Sequence, residues 1–582
     1  ANKFALQTRL LRKRSNKIVH SHFVANVLKK SFLNLKIYSL TFYGRNKMNT
    51  KKSKTLALLL AASSLVFAQE DDFAAWGDST DSQEGQQSVT VSGSTKFQAR
   101  AYPEASETPL SEADSIYDMN KIPVTVKASA HAGIAYTGTS SDAEIKLAFD
   151  KDILENHPES VLDEMNVRGY LGNLTVEAGK MKIVWGKGDK LHVIDNFNAD
   201  DYTDFIIPDY IDRRLAVPMM RAVYNIPGTN TSVEAVWTPW TEPDRFASDG
   251  IWTPAAYKNL YNTVKSVQEK KVAASFKKYT KLTSGVGALS SLAALAQAEA
   301  AAGTPGKATA AYNAALENLG CTRIDEAKAN LEQAGTEYTN TLLAASTVTQ
   351  ESLLPDTHTL RYSQFGARVT GTVGTVDLGA SWYYGHFKQP SANLQNTILN
   401  SEMPELAYDQ KQTFGLEAAT VLWKLNLRGE AAYTLTEDTE GDDPWVHNNS
   451  VSWLAGFDMD IGLNNININV QETGTLVLNG SKIDGSTFEK YDVDYNPAGH
   501  TNNKLVVNIT DSWMNEKICP EVTVMWGIER GDLVVQPKLA WKPDPALALT
   551  LSGMYIKCRD EDSEFYEWRN NSFVCLGVSA IF

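Results

Sequence analysis

Over much of the chain apolar residues recur at every second position, the period of a strand with one apolar face. In the last stretch Val574, Leu576, Val578, Ala580 and Phe582 alternate with Phe573, Cys575, Gly577, Ser579 and Ile581. Upstream, Leu547, Leu549, Leu551, Gly553 and Tyr555 oppose Ala548, Thr550, Ser552 and Met554. Leu533, Val535, Leu539 and Trp541 oppose Val534, Gln536, Lys538 and Ala540, and Leu425, Leu427, Gly429, Ala431 and Tyr433 oppose Asn426, Arg428, Glu430, Ala432 and Thr434. Pro537 falls inside one such run; without an N–H it cannot donate to a ladder, so a bulge is expected there.

The runs are joined alternately by short and long connections. Turn signals occur near Thr139 and at 172–173, 227–230, 373–375, 423–424, 463–465, 515–517 and 543–545; long polar connections occupy 104–121, 186–215, 388–411, 437–449, 479–503 and 559–571. Hairpin counting gives about 18 strands, with 16 as the runner-up.

A soluble sandwich alternates too, so the second face decides. It carries mid-strand charges of both signs: Glu144, Lys146, Arg221, Glu234, Arg368, Asp377, Glu417, Arg428, Glu430, Glu529 and Lys538. Aromatic residues near strand ends (Trp185, Tyr224, Trp237, Trp382, Tyr384, Trp423, Trp541, Tyr555) and a terminal Phe582 fit an outer-membrane barrel, in which lipid-facing and lumen-facing residues alternate. From Met48 the chain reads MNTKKSKTLALLLAASSLVFAQ, a basic start, an apolar core and small residues before a cut, which is a bacterial export signal too short for a permanent membrane helix. The expected fold is therefore all-β, a transmembrane antiparallel up-and-down barrel with an inserted α-helical domain, in the outer membrane of a diderm bacterium. Phe582 is the expected assembly signal, with the barrel-assembly machinery and outer-membrane lipid as partners.

The expected organisation is a mis-extended start (1–47), signal peptide (48–68), disordered periplasmic lead (69–87), N-terminal barrel part (88–251), α-helical insertion (252–355) and C-terminal barrel part (356–582). In the insertion the period of two gives way to Ala-rich helical stretches broken by Gly303–Thr304–Pro305–Gly306, read as an antiparallel helical hairpin on the outer rim, a plug in the lumen being the other placement.

Of 55 basic residues 14 lie in the first 68, which hold no acid; the remaining 41 face 69 acidic residues, a net −28 that excludes general nucleic-acid binding. Cys321, Cys519, Cys558 and Cys575 show neither metal nor disulfide spacing. His192 with Asp195 is the one pair suggestive of catalysis, and isolated pairs of that kind make no triad. No catalytic residue, metal or cofactor is assigned.

The densest chemistry lies at 184–224, VWGKGDKLHVIDNFNADDYTDFIIPDYIDRRLAVPMMRAVY. Asp189, Asp195, Asp200, Asp201, Asp204, Asp209 and Asp212 stand close to Arg213 and Arg214. An acidic loop folded inward against basic wall residues builds a constriction with a transverse field; a solvated outer loop is the other reading. The constriction candidates are Asp189, Asp195, Asp200, Asp201, Asp204, Arg213 and Arg214, and the lumen candidates Arg221, Glu234, Arg368, Asp377, Glu417, Arg428, Glu430, Glu529 and Lys538. The run Trp185-Gly186, Asp189, Asp195, Asn198, Asp201, Arg213-Arg214-Leu215 and Val217-Pro218, with the closing strands from Asn503 to Phe582, resembles a family of outer-membrane barrels filed as a domain of unknown function, similar in style to alginate-export porins. The resemblance implies a channel-like barrel without naming a cargo. Two function classes follow: a channel for small or medium polar solutes, or a surface adhesin or receptor whose helical insertion binds a partner.

Overall fold

The computed structural model describes residues 88–104, 117–119, 122–248, 250–304, 306–347, 354–393, 395–400, 402–484 and 500–582. The expected leader, export signal and periplasmic lead, 1–87, lie outside them. Among the described residues eighteen long strands form one closed antiparallel sheet. They are β1 (Ser88–Ala101), β2 (Ile122–Thr137), β3 (Ser141–Asp150), β4 (Leu162–Leu171), β5 (Leu174–Met181), β6 (Val217–Asn225), β7 (Thr231–Thr238), β8 (Gln364–Val373) and β9 (Val376–His386). The second half comprises β10 (Gln410–Leu422), β11 (Leu425–Thr436), β12 (Ser450–Asp460), β13 (Asn467–Val477), β14 (Thr501–Thr510), β15 (Ile518–Gly527), β16 (Leu533–Asp544), β17 (Leu547–Lys557) and β18 (Phe573–Ile581). Each pairs with its sequence neighbours, and β1 pairs with both β2 and β18, which closes the ring. The seam ends on Gly93 and Phe582, whose backbones exchange hydrogen bonds of 2.8 and 2.9 Å. Eighteen strands replace the alternative count of sixteen.

One end of the barrel carries tight turns and the other the long connections. Gly172 and Gly374 supply positive φ (64° and 66°) in two of the turns, a conformation hairpin turns demand and most side chains resist. Outward positions are apolar and open to the surroundings: Leu378 is 43 % exposed, Leu416 62 % and Leu551 42 %. Val126, Ile134, Val167, Val369, Phe414, Leu539 and Val578 belong to the same belt. In water so large an apolar surface would drive aggregation, whereas lipid is its natural solvent. No helix among the described residues is long and apolar enough to cross a membrane. Tyr224, Trp423 and Trp541 stand exposed near the turn end, and Trp382, Trp526 and Tyr555 near the other.

Three expectations are corrected. Pro537 sits in line, opposite Val522, and interrupts the β16–β17 pairing without shifting it; the register shift comes later, between Trp541 and Asp544, beside Pro543. Trp185 is no girdle residue: it lies past the end of β5 and is buried in the lumen. Glu529 is not mid-strand, because β15 ends at Gly527 and Glu529 occupies the following turn, where it accepts from Thr501 Oγ1 at 3.0 Å.

The connection from β7 to β8 contains α1 (Ala255–Ala301), α2 (Lys307–Asn318) and α3 (Ile324–Ser346). Alanine-rich sequence favours the helix, and 47 residues make α1 about 70 Å long. Gly303 and Gly320 take positive φ (67° and 66°) where the chain reverses and where α2 gives way to α3. Both shorter helices run back along α1: Val286 and Leu289 pack with Leu316, Cys321 and Ala327, Ser275 Oγ lies 2.8 Å from Thr341 Oγ1, and Lys278 pairs with Glu337 at 2.7 Å. The arm is thus one long helix answered by a broken return helix. Its base is held by the outer connections, with Ala255 N–H donating to Glu567 and Gln268 Nε2 to Met403 Sδ at 3.5 Å.

A strap across the barrel lumen

The connection from β5 to β6, residues 182–216, turns into the barrel and reaches opposite walls. Its entry is a hydrophobic plug: Trp185 meets Phe197 at 5.0 Å between ring centroids, Phe197 meets Tyr383 of β9 at 5.1 Å, and Ile194 and Val217 complete the cluster. Further on, Phe205 stacks on Trp252 at 4.8 Å and joins Val534, Met554, Ile556 and Phe573 of the far wall. Between the two clusters Asn198 ties the strap to itself, its side-chain oxygen accepting from Ile183 N–H (2.9 Å) and its amide donating to Met181 O (3.1 Å) and Leu215 O (2.8 Å). Ala199–Tyr202 pairs with Arg214–Leu215 and Arg245–Phe246, so the strap carries a small sheet of its own.

Charged wall residues anchor it. Glu430 of β11 accepts from the backbone N–H groups of Lys187 (2.8 Å), Gly188 (2.6 Å) and Val193 (2.8 Å), and lies 3.0 Å from His192 Nδ1. His192 therefore pairs with Glu430 and not with Asp195. Asp204 is gripped by Arg100 of β1, one N···O distance being 2.7 Å, with Lys127 of β2 at 3.6 Å. Burial alone would raise that carboxyl, but Lys127 and Arg100 outweigh it and hold it down at about 2. Asp195 lies 2.8 Å from Arg214 and accepts from the Tyr210 hydroxyl; burial outweighs both and leaves it above the usual carboxylate range.

The other candidates divide by exposure. Asp200 lies 3.6 Å from Arg214, Asp201 pairs with Arg245 at 3.3 Å, and Arg213 donates to Pro208 O at 3.2 Å. Asp189 faces Arg428 at 3.4 Å and accepts from Asn469 at 2.7 Å, yet its side chain stays half open. Asp209 and Asp212 are exposed. The fields of Asp195, Asp201 and Asp204 are thus cancelled locally, whereas Asp189 and Asp209 share their cations, Arg428 with Asp458 and Lys190 (3.8 Å from Asp209) with Glu521. Asp212 has no ion pair among the described residues, so the strap's net negative charge resides on these three.

On the wall, Arg221, Glu234, Arg368 and Glu417 join Arg168 and Glu177 in a belt of alternating sign. Arg221 reaches Glu177 (3.0 Å) and Glu234 (2.7 Å), and Arg368 reaches Glu417 (2.5 Å). Arg428 pairs with Asp458, Lys538 with Glu521 at 3.1 Å, and Asp377 accepts from Thr372 Oγ1 at 2.7 Å near the turn end. Arg168 and Glu177 follow the same alternation and were open to discovery by extending it to β4 and β5; Arg100 and Lys127 likewise. Asp244 and Lys388 lie in irregular connections and had no such signal.

Those two form a largely enclosed junction between strap, arm base and the β9–β10 connection. Asp244 accepts from Asp200 N–H (2.9 Å) and from Gln389 Nε2 (3.2 Å), while Lys388 Nζ donates to Phe197 O (3.1 Å) and Gln364 Oε1 (2.5 Å). Burial and then the neighbouring Asp200 push the Asp244 carboxyl up to about 6; burial and then Lys411 bring the Lys388 ammonium down to about 7. An unfolded Asp244 ionises near 3.8, so its contribution to stability is greatest at low pH and falls as pH rises from about 4 to about 6. Asp244→Asn keeps an acceptor for Asp200 N–H, and rotation of Gln389 offers its oxygen to the new amide. The variant should gain roughly 2–3 kcal/mol at most at pH 7 relative to wild type and lose the dependence across that window, read as amide hydrogen exchange of 195–215 at pH 4.5 and 7.

Among the described residues no group of three or more His, Cys, Asp or Glu is placed to hold a metal ion. A family described as proteins of unknown function, DUF1302, matches residues 114–452, more than half of the chain. The chain belongs to this family. The DUF1302 match takes in the strap, the arm and the wall from β2 to the start of β12. No curated protein matches the chain. Solved structures similar to this DUF1302 chain include the outer membrane channel DcaP of Acinetobacter baumannii, 9 % identical with a TM-score of 0.36, covering 86 % of this chain and 99 % of that one. OpdO of Pseudomonas aeruginosa is 8 % identical with a TM-score of 0.38, covering 85 % and 96 %, and OprB of Pseudomonas putida is 10 % identical with a TM-score of 0.33, covering 85 % and 94 %.

Proposed function

We propose that the protein is an outer-membrane channel that passes small or medium polar solutes, its tight turns facing the periplasm, its arm and long connections facing outward, and its strap folded into the lumen from that outer end. The observation that carries this reading is the pairing of an exposed apolar outer belt with a charged inner wall in a closed barrel of eighteen strands. Barrels of this size leave room for an aqueous path that a lumen loop narrows. The strap does so here, and its open carboxylates give the narrowed path a negative field.

Reconstitution in a planar bilayer tests it: discrete ion conductance is expected, and its absence both in the whole protein and after removal of 255–346 defeats the reading. The channel should favour cations at low salt, with the preference fading toward 1 M, where the Debye length is about 3 Å. Asp209→Asn with Asp212→Asn should lower the cation preference more than Asp560→Asn with Asp562→Asn on the β17–β18 connection. Reversal potentials in a salt gradient report the difference.

A further inference from the structure

Within the described residues, the proximal part of α1 concentrates positive charge on an otherwise acidic protein. Between Lys258 and Lys281 it holds seven lysines (258, 265, 270, 271, 277, 278, 281) against a single acid, Glu269. All seven are exposed, and only Lys278 has an ion-pair partner among the described residues, Glu337. Lys270, Lys277 and Lys281 follow at i, i+7 and i+11, which puts them on one side of the helix in a stripe about 16 Å long. The stripe runs into an open groove of about 450 Å³ at the arm's base. Asn259, Asn262, Thr263, Ser266 and Lys270 form one bank, and Thr397 of the β9–β10 connection forms the other. The Thr397 hydroxyl is buried and finds no partner among the described residues.

We propose that this groove and stripe bind an anionic oligosaccharide. Amide and hydroxyl groups closely spaced along a cleft floored in part by Val267 suit the hydroxyls and the apolar faces of sugar rings, and ammonium groups along the stripe suit carboxylates or acidic esters along the glycan. Sign decides the partner: neutral glycans have no use for the stripe, and a purely apolar ligand leaves the groove's amides and hydroxyls unmatched. The proposal goes beyond conduction, because binding to the arm needs no open pore.

The full-length protein in detergent micelles is titrated with an oligogalacturonate, with a neutral malto-oligosaccharide, and with vesicles carrying anionic phospholipid. Saturable binding of the oligogalacturonate that weakens with salt is expected, and Lys270→Gln with Lys277→Gln and Lys281→Gln should weaken it roughly tenfold or more. Thr397→Val should weaken it by a smaller factor, and Lys307→Gln with Lys328→Gln on the return helices should leave it unchanged. Equal loss in the distal variant, equal binding of the neutral glycan, binding to vesicles alone, or no binding each overturns the proposal. Circular dichroism of the variants confirms an intact arm, and conductance of the same samples reads the channel separately.

Discussion

Glu430→Ala is expected to free the strap from the wall and to cost roughly 3–5 kcal/mol, the range for removing one partner of a buried charged contact. One carboxylate satisfies three strap N–H groups and faces His192, so truncation strands several donors together. Each buried donor left without an acceptor costs about 1–3 kcal/mol, less wherever lumen water replaces the carboxylate. Glu430→Gln keeps an acceptor for most of these donors and should sit between the two. Urea unfolding in lipid vesicles measures the stability. Single-channel records should show a larger and noisier current in the alanine variant, and an unchanged record alongside unchanged stability would mean that the strap is held without Glu430.

Leu416→Arg should impair insertion by roughly 2–4 kcal/mol, the penalty for a cation on the lipid face near the midplane. Leu416 lies midway along β10, 62 % exposed, opposite Ala380 and Ala431. Its neighbour Glu417 points the other way and meets Arg368, so Glu417→Gln should insert normally and alter ion selectivity instead. Heat-modified electrophoretic mobility after folding into vesicles distinguishes the two. Similar folding yields for both would contradict the assignment of faces.

The barrel was legible because its physics is local: a wall wet on one side and oily on the other forces a period of two, and Leu416 with Glu417 displays it in two letters. The same period placed Arg221, Glu234, Arg368, Glu417 and Glu430 on the inner face without knowledge of any partner. The partners themselves were not legible. Glu430 meets backbone N–H groups more than two hundred positions away, and nothing near either segment encodes that meeting. Within the strap, Asp195 and Asp209 have similar neighbours in sequence, yet one is sealed against Arg214 and the other open. Trp185 misled for a related reason: an aromatic residue just past a strand end serves a membrane girdle or a lumen plug equally well, and the direction of the following turn decides.

The arm interrupts β7 and β8, which are nonetheless direct neighbours, Thr238 opposite Gln364. Joining two strands through so long an excursion costs little in chain entropy, since each doubling of a flexible loop adds only about 0.6 kcal/mol. The cost is smaller still here, because α2 and α3 lead the chain back along α1 toward where it left, and the barrel experiences the excursion as a short link between nearby ends. Such an arm is a cassette: it can lengthen, shorten or be exchanged without retuning the register of a single barrel strand, so that what the surface presents and what the lumen admits are free to diverge.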